Sequence, residues 1–260
     1  MNSGKNLKMP DFLIIGQQKC GTSALYVNLV SHPNIATAEQ KELYFFNNHY
    51  EKGLDWYRDQ FPSLVLRTSN TITGEATPNY IDDPLAPQRV YHCMPKVKLI
   101  ILLRNPVDRA YSQYQMGARN GSCFINGRLP TFEEFIEKEM NLPKNYYENL
   151  DREIYIESYR FLERGIYINK IEKWMNVFPK EQIMIIKSED FYHDPYKIYK
   201  EVLAFLNVPV WEPNKFIFIN KFRDKYPKLN DTTRQELISY FKPYNERLYR
   251  FLGRDLEWEK

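Results

Sequence analysis

Only three cysteines, Cys20, Cys93 and Cys123, occur in 260 residues, an odd number with neither paired nor metal-like spacing. That speaks against a disulfide framework and favours a reducing compartment. No apolar run approaches membrane-spanning length, and the opening MNSGKNLKMP holds no hydrophobic core of signal-peptide size. A soluble, cytoplasmic protein with no membrane partner is the expectation. Charge of one sign is not in excess either. Lys and Arg number 36 against 33 acidic residues, for a net charge of +3 and no long basic run. This is far from a nucleic-acid-binding profile, although a local basic site for one anionic ligand is compatible with it. Internal repeats and low-complexity tracts are absent as well. What remains is an apolar content of 43%, enough to build the core of one large domain or two small ones. We take residues 1–260 as a single domain.

Against that background one stretch stands out, DFLIIGQQKCGTSALYVNLVSHP at Asp11–Pro33. The apolar run Phe12–Ile15 ends at Gly16, a polar loop with Lys19, Cys20, Gly21, Thr22 and Ser23 follows, and helical periodicity starts at Ala24. A buried strand feeding a glycine-containing turn and then a helix presents unpaired backbone N–H groups and a positive dipole end at one spot. Lys19 adds a full charge there, and Thr22 and Ser23 add hydroxyl donors. The plainer reading is a tight turn that binds nothing. In the nucleotide-triphosphate pattern the lysine directly follows the second glycine and a magnesium-holding hydroxyl comes next. Here Thr22 follows Gly21 and the lysine lies inside the loop. With no acidic strand end to hold a metal, the pattern suits a phosphate-bearing ligand that needs none. Cys20 beside Lys19 reads either as an acidified thiol or as a small residue filling the turn.

Apolar runs at Phe12–Ile15, Val97–Leu103 and Gln182–Ile186 predict buried strands. Helical patterns at Ala24–Ser31, Leu85–Cys93, Val107–Met116, Tyr159–Phe178, Tyr196–Leu206 and Asp231 to about Phe251 lie around them. Alternation of this kind predicts parallel βαβ units and an α/β fold. On the last helix Leu237, Phe241, Leu248 and Phe251 share a face, and Gly253 is a stop. Two further segments carry chemistry. In KELYFF, Lys41–Phe46, bulky apolar residues follow Glu42; it reads as a general base at the edge of a dry pocket, with a raised pKa, or as a solvent carboxylate. In KLIILLRNPVDRAYSQYQ a buried strand ends at Arg104 and Pro106 opens a helix bearing Arg109 and Ser112. Arg104 and Ser112 read as a site for a second phosphate, or the arginines as a surface network with Asp108.

Taken in order, IGQQKCGTSAL, KELYFF, GEATPNY at Gly74–Tyr80 and LLRNPVDRAYSQY resemble the sulfotransferases that use 3′-phosphoadenosine 5′-phosphosulfate (PAPS). The likeness is strongest to the heparan sulfate N- and 3-O-sulfotransferase domains and their bacterial relatives. It runs on through Arg164–Tyr167 and Asp194-Pro195 to GRDLEW at Gly253–Trp258. The resemblance implies a P-loop-like three-layer fold, a central, mostly parallel sheet flanked by helices. It implies that Lys19, Cys20, Gly21, Thr22 and Ser23 hold the 5′-phosphosulfate, with Lys19 catalytic, and that Arg104 and Ser112 take the 3′-phosphate. Glu42 matches the family's general base, and Arg223 and Lys225 fall where a basic loop closes over the cofactor. PAPS would be the donor and 3′-phosphoadenosine 5′-phosphate (PAP) the product, with no metal.

The departures bear on the acceptor. Ala76 stands where animal heparan members carry a lysine, Tyr44 where 3-O members carry a histidine, and the basic cleft for a polyanionic chain is missing. A bacterial enzyme acting on a small metabolite or carbohydrate is therefore expected. A nucleotide-dependent kinase and a non-catalytic nucleotide-binding module are the alternatives.

Overall fold

The structure, a computed structural model, describes residues 9–62, 71–143, 146–151, 159–219 and 227–259. The chain divides into two compact units, Met1–Leu103 with Ile171–Asn220, and Arg104–Lys170 with Lys221–Lys260.

The first unit is built on five strands, β1 (Phe12–Gly16), β2 (Ile35–Thr37), β3 (Ile72–Ala76), β4 (Lys98–Leu103) and β5 (Ile183–Lys187), in the order β2-β3-β1-β4-β5. All four pairings are parallel, as the alternation of elements predicts. Leu13 of β1 stands between Glu75 of β3 and Leu99 of β4. Continuous apolar runs suit a sheet buried on both faces, and Phe12–Ile15 and Leu99–Leu103 are fully buried. On one face Phe12, Ile14, Ile100 and Leu102 pack with residues of α1 (Thr22–Val30) and of two later helices, Ser188–His193 and Pro195–Leu206.

The sequence pattern missed β2 and β3. In β3 the run ITGEA has little strand propensity, and its place is set by tertiary fit. A side chain at Gly74 would run into the Phe12 ring, so only glycine lets β3 approach β1. KELYFF is not strand-like. Glu42 lies in a loop that leads into the short helix α2 (Phe45–Asn48), followed by α3 (Gly53–Arg58) and α4 (Ala86–Cys93).

In the second unit α5 (Pro106–Asn120) starts at Pro106 as predicted, and the Asn105 side chain accepts from the amides of Val107 at 3.0 Å and Asp108 at 3.3 Å. Helix α6 (Phe132–Met140), unpredicted, opens on a reciprocal Thr131–Glu134 capping box. The helix expected over Tyr159–Phe178 is shorter, α7 (Tyr167–Met175), and the division between the units falls inside it. Ahead of it Arg160 takes a left-handed φ of 44° and a 3₁₀ turn spans Glu163–Gly165. A Cβ at Gly165 would come within 2.8 Å of the Phe241 ring, so this turn is shaped by close contact. The two Ser188–His193 and Pro195–Leu206 helices are α8 and α9, and the long α10 (Asp231–Leu252) ends at Gly253, φ 66°. Its Leu237, Phe241 and Leu248 are buried as expected, whereas Phe251 is exposed.

Candidate active site

Strand β1 hands the chain to a loop held tightly from below. The buried Gln17 donates its backbone N–H to the Leu102 carbonyl at 2.8 Å and its side-chain amide to Asp82 Oδ1 at 2.9 Å. Cys20 N–H closes back on the Gln17 carbonyl at 3.1 Å, and Ser188 Oγ donates to the Cys20 carbonyl at 2.8 Å. Two residues of the loop sit at positive φ, Lys19 at 72° and Gly21 at 93°. For a lysine that conformation costs roughly 1–3 kcal/mol, and such costs concentrate at ligand clamps. At Gly21 a side chain would also crowd the Tyr192 hydroxyl, 3.1 Å from the ideal Cβ. Gly21 gives α1 no side-chain cap, so no side chain at the cap position accepts from the amides of the first turn. Both backbone groups of Cys20 are thus engaged within the protein. Its thiol is wholly buried in the apolar cluster with Ala24 and Phe191, the plainer of the two readings.

Lys41, not singled out in the sequence, joins this loop to Glu42. Its Nζ donates to Ser23 Oγ at 2.8 Å and to Glu42 Oε1 at 2.9 Å. The Tyr44 hydroxyl donates to Glu42 Oε2. Glu42 is one-fifth exposed and held between an ammonium and a phenol, rather than at the edge of a dry pocket. The structure thus brings Ser23 and Glu42 to the two sides of one lysine. The only sequence signal was adjacency to Glu42.

A second residue missed in the sequence is Glu75, a buried carboxylate in β3. It accepts from the hydroxyls of Tyr57 at 2.7 Å, Thr77 at 2.8 Å and Tyr80 at 2.9 Å. Burial pushes its pKa up to about 6, against the pull of those three hydrogen bonds, and the charge of Glu42 adds to the rise. An acidic residue inside a strand otherwise free of charge was the available clue.

Arg104 and Ser112 belong to the second unit. Arg104 directly follows β4, and its carbonyl accepts from the Tyr167 hydroxyl at 2.7 Å. Ser112 lies half-buried on α5. Arg109 is fully buried, donating to Gln113 Oε1 at 2.8 Å and to the Phe161 carbonyl, which makes it part of the core. Asp108 does form an ion pair, with Arg234 at 2.6 Å. Arg223 and Lys225 lie outside the described residues. Among the described residues no group of three or more His, Cys, Asp or Glu could hold a metal ion, and no helix is long and apolar enough to cross a membrane.

Residues 9–250 match the sulfotransferase domain family. The chain is 30% identical to the membrane-associated sulfotransferase kil1 of Dictyostelium discoideum, over 98% of this chain and 68% of that protein. It is 32% identical to the human bifunctional heparan sulfate N-deacetylase/N-sulfotransferase 3, over 94% of this chain but only 30% of the relative's length. Among solved structures, a sulfotransferase from Alicyclobacillus acidocaldarius superposes with a TM-score of 0.77 at 28% identity, covering 97% of this chain and all of that one. With residues 9–250 matching the family model and a relative 30% identical over 98% of its length, the chain belongs to the sulfotransferase family.

Proposed function

We propose that this chain transfers a sulfuryl group from PAPS to a hydroxyl or amine of a small metabolite or carbohydrate, residues 1–260 acting as one sulfotransferase domain. The observation that carries the reading is the Ser23–Lys41–Glu42 chain, with contacts of 2.8 and 2.9 Å, which places a carboxylate beside the anion loop. The loop fits an anion on its own terms, because α1 lacks a side-chain cap and Gly21 holds a φ of 93° that favours glycine. Bound there, PAPS supplies an activated sulfuryl group. Lys19 and the amides of Gly21, Thr22 and Ser23 would hold its 5′ end, with Cys20 shaping the loop through its own N–H, bonded to the Gln17 carbonyl at 3.1 Å, and Arg104, Ser112, Arg223 and Lys225 would hold the rest. Lys19 offsets negative charge as it grows on the departing phosphate oxygen, and Glu42 takes the acceptor's proton. The three free cysteines fit a cytoplasmic enzyme. The N-sulfotransferase named among the relatives puts amino sugars first among acceptors to try.

Calorimetry with PAP, adenosine 5′-monophosphate, ATP and ATP plus magnesium tests the donor. PAP should bind about 30- to 1,000-fold more tightly than the monophosphate, the worth of charge-assisted contacts to one more phosphate. Equal affinities, or a preference for magnesium-ATP, would overturn the assignment.

A further inference from the structure

The three amides that follow Glu42 in the chain, those of Leu43, Tyr44 and Phe45, enter α2 and have no acceptor within the helix. Two hydroxyls receive them. Leu43 N–H and Tyr44 N–H donate to Thr77 Oγ1 at 3.2 and 3.4 Å, and Phe45 N–H donates to the Tyr80 hydroxyl at 2.9 Å. Each hydroxyl carries one proton, and both protons are taken by the same carboxylate, Thr77 donating to Glu75 Oε2 and Tyr80 to Glu75 Oε1. A hydroxyl whose proton is so engaged can turn only lone pairs toward the amides. Glu75 itself is fixed in β3, with its Cα in register with Leu13 of β1.

We propose that Glu75 is the positioning residue for Glu42. By accepting the Thr77 and Tyr80 protons it aims both hydroxyl oxygens at the Leu43–Phe45 amides and so sets where Glu42 stands. The proposal rests on the reading of Glu42 as general base. Tyr44 extends the same effect, since its amide is held by Thr77 while its hydroxyl donates to Glu42 Oε2. The chemistry explains why glutamate is needed. A glutamine at position 75 would present an amide N–H₂ to one of the hydroxyls. That hydroxyl would then accept from residue 75 and turn its proton toward the amides, opposing donor with donor. The third donor to Glu75 serves as a control. The Tyr57 hydroxyl reaches Glu75 Oε1 at 2.7 Å and is not among the hydroxyls that receive the Leu43–Phe45 amides.

The test uses the full chain carrying Glu75→Gln, Thr77→Val, Thr77→Ser, Tyr80→Phe or Tyr57→Phe, with three readouts. The first is PAP affinity by calorimetry. The second is the pH titration of the Glu42 carboxyl carbon in protein labelled with ¹³C at glutamate Cδ, assigned through Glu42→Gln. The third is sulfuryl transfer from ³⁵S-labelled PAPS to N-deacetylated heparosan oligosaccharide and to 4-nitrophenol, separated into kcat and KM. Glu75→Gln, Thr77→Val and Tyr80→Phe should shift the Glu42 titration and lower kcat about 10- to 100-fold, the size expected for a base moved by an ångström or less. PAP affinity should stay within about twofold. Thr77→Ser should restore both signals, and Tyr57→Phe should change kcat less than about threefold. The proposal is overturned if the Glu42 titration is unchanged in Thr77→Val and Tyr80→Phe, which keep the charge of Glu75, or if Tyr57→Phe moves it as much as they do. Should Glu75→Gln fail to fold, Thr77→Val against Thr77→Ser decides the matter. Absence of PAP binding by the wild-type chain would sink the functional reading, and the Glu42 titration would still decide the positioning.

Discussion

The Lys41–Glu42 pair beside the anion loop is 2.9 Å long and the Lys170–Glu163 pair of the second unit 2.7 Å, and both carboxylates are about one-fifth exposed. Their surroundings differ. Lys170 is nearly buried and also donates to the Glu163 carbonyl at 2.7 Å, while Arg160, only 1% exposed, gives Glu163 a second cation at 2.8 Å. Burial alone would push the Glu163 carboxyl up, but Lys170 and then Arg160 bring it down to about 2. Lys41 is itself one-fifth exposed and divides its ammonium between Glu42 and Ser23. In the first pair both partners keep some exposure, and the ammonium is shared with a neutral hydroxyl. In the second, charges are locked together by redundancy. Length and residue type do not separate these two ion pairs, whereas the number and burial of the other partners do.

The strongest test makes the same substitution in both places. Glu42→Gln should lower sulfuryl transfer from PAPS by roughly 10²–10⁴ through loss of the base and leave the urea unfolding midpoint close to wild type. Glu163→Gln leaves two buried cations short of a counter-charge and should cost about 3–5 kcal/mol in the same unfolding experiment, with PAP binding retained under native conditions. The acid limb distinguishes them further. Because the folded Glu163 carboxyl lies near 2, below its ordinary 4.5, its stabilisation is present above about pH 4.5 and is lost as pH falls toward 2. That acid loss should be reduced in Glu163→Gln. Comparable destabilisation by both variants would erase the distinction.

Glu75 gives the opposite sign and a smaller effect. Buried among hydroxyls, it is raised from 4.5 to about 6. Its contribution is therefore fully present below about pH 4.5 and is lost as pH rises through 6. A shift of that size is worth about 2 kcal/mol. The stability of the wild type relative to Glu75→Gln should fall by about that much between pH 4.5 and 7.5, read from urea unfolding at the two pH values. A difference that grew with pH instead would mean that a cation, as at Glu163, dominates the Glu75 site.

How far the sequence displays this can be judged from the same residues. Strands β1 and β4 and the loop from Gly16 to Ser23 were legible because each carries a local signal, an apolar run or a glycine-punctuated turn. Glu42 is marked out by its motif, whereas Lys41 is not, because a lysine next to a glutamate looks like ordinary surface charge. Strand β3 and Glu75 were illegible for a different reason. What makes ITGEA a strand is the absence of a side chain at Gly74 where the Phe12 ring lies. What makes Glu75 tolerable is three hydroxyls, two of them from tyrosines outside the strand. The Arg160–Glu163–Lys170 cluster was hidden in a stretch with helical periodicity, which turned out to be a 3₁₀ turn ahead of a shorter helix. Partners brought in by tertiary contact leave no period in the sequence.

The smallest expected effect bears most directly on the comparison. Lys41→Met keeps the length of the side chain and removes its charge. An ion pair with both partners one-fifth exposed gains little over solvation, so the change should cost less than about 1 kcal/mol of stability. Lys170→Met, by contrast, removes a nearly buried cation 2.7 Å from Glu163, beside the buried Arg160, and should cost about 3 kcal/mol. A cycle combining Lys41→Met with Glu42→Gln should return a coupling of about 0.2–1 kcal/mol, falling in high salt as expected for a partly exposed pair. Weakness is what the proposed function requires here. A lysine held to Glu42 by several kcal/mol could not release it, or Ser23, when an anion enters the loop. If Lys41→Met costs more than about 2 kcal/mol, Lys41 belongs with Lys170 as a structural cation, and the link between the loop and Glu42 is a brace of the fold.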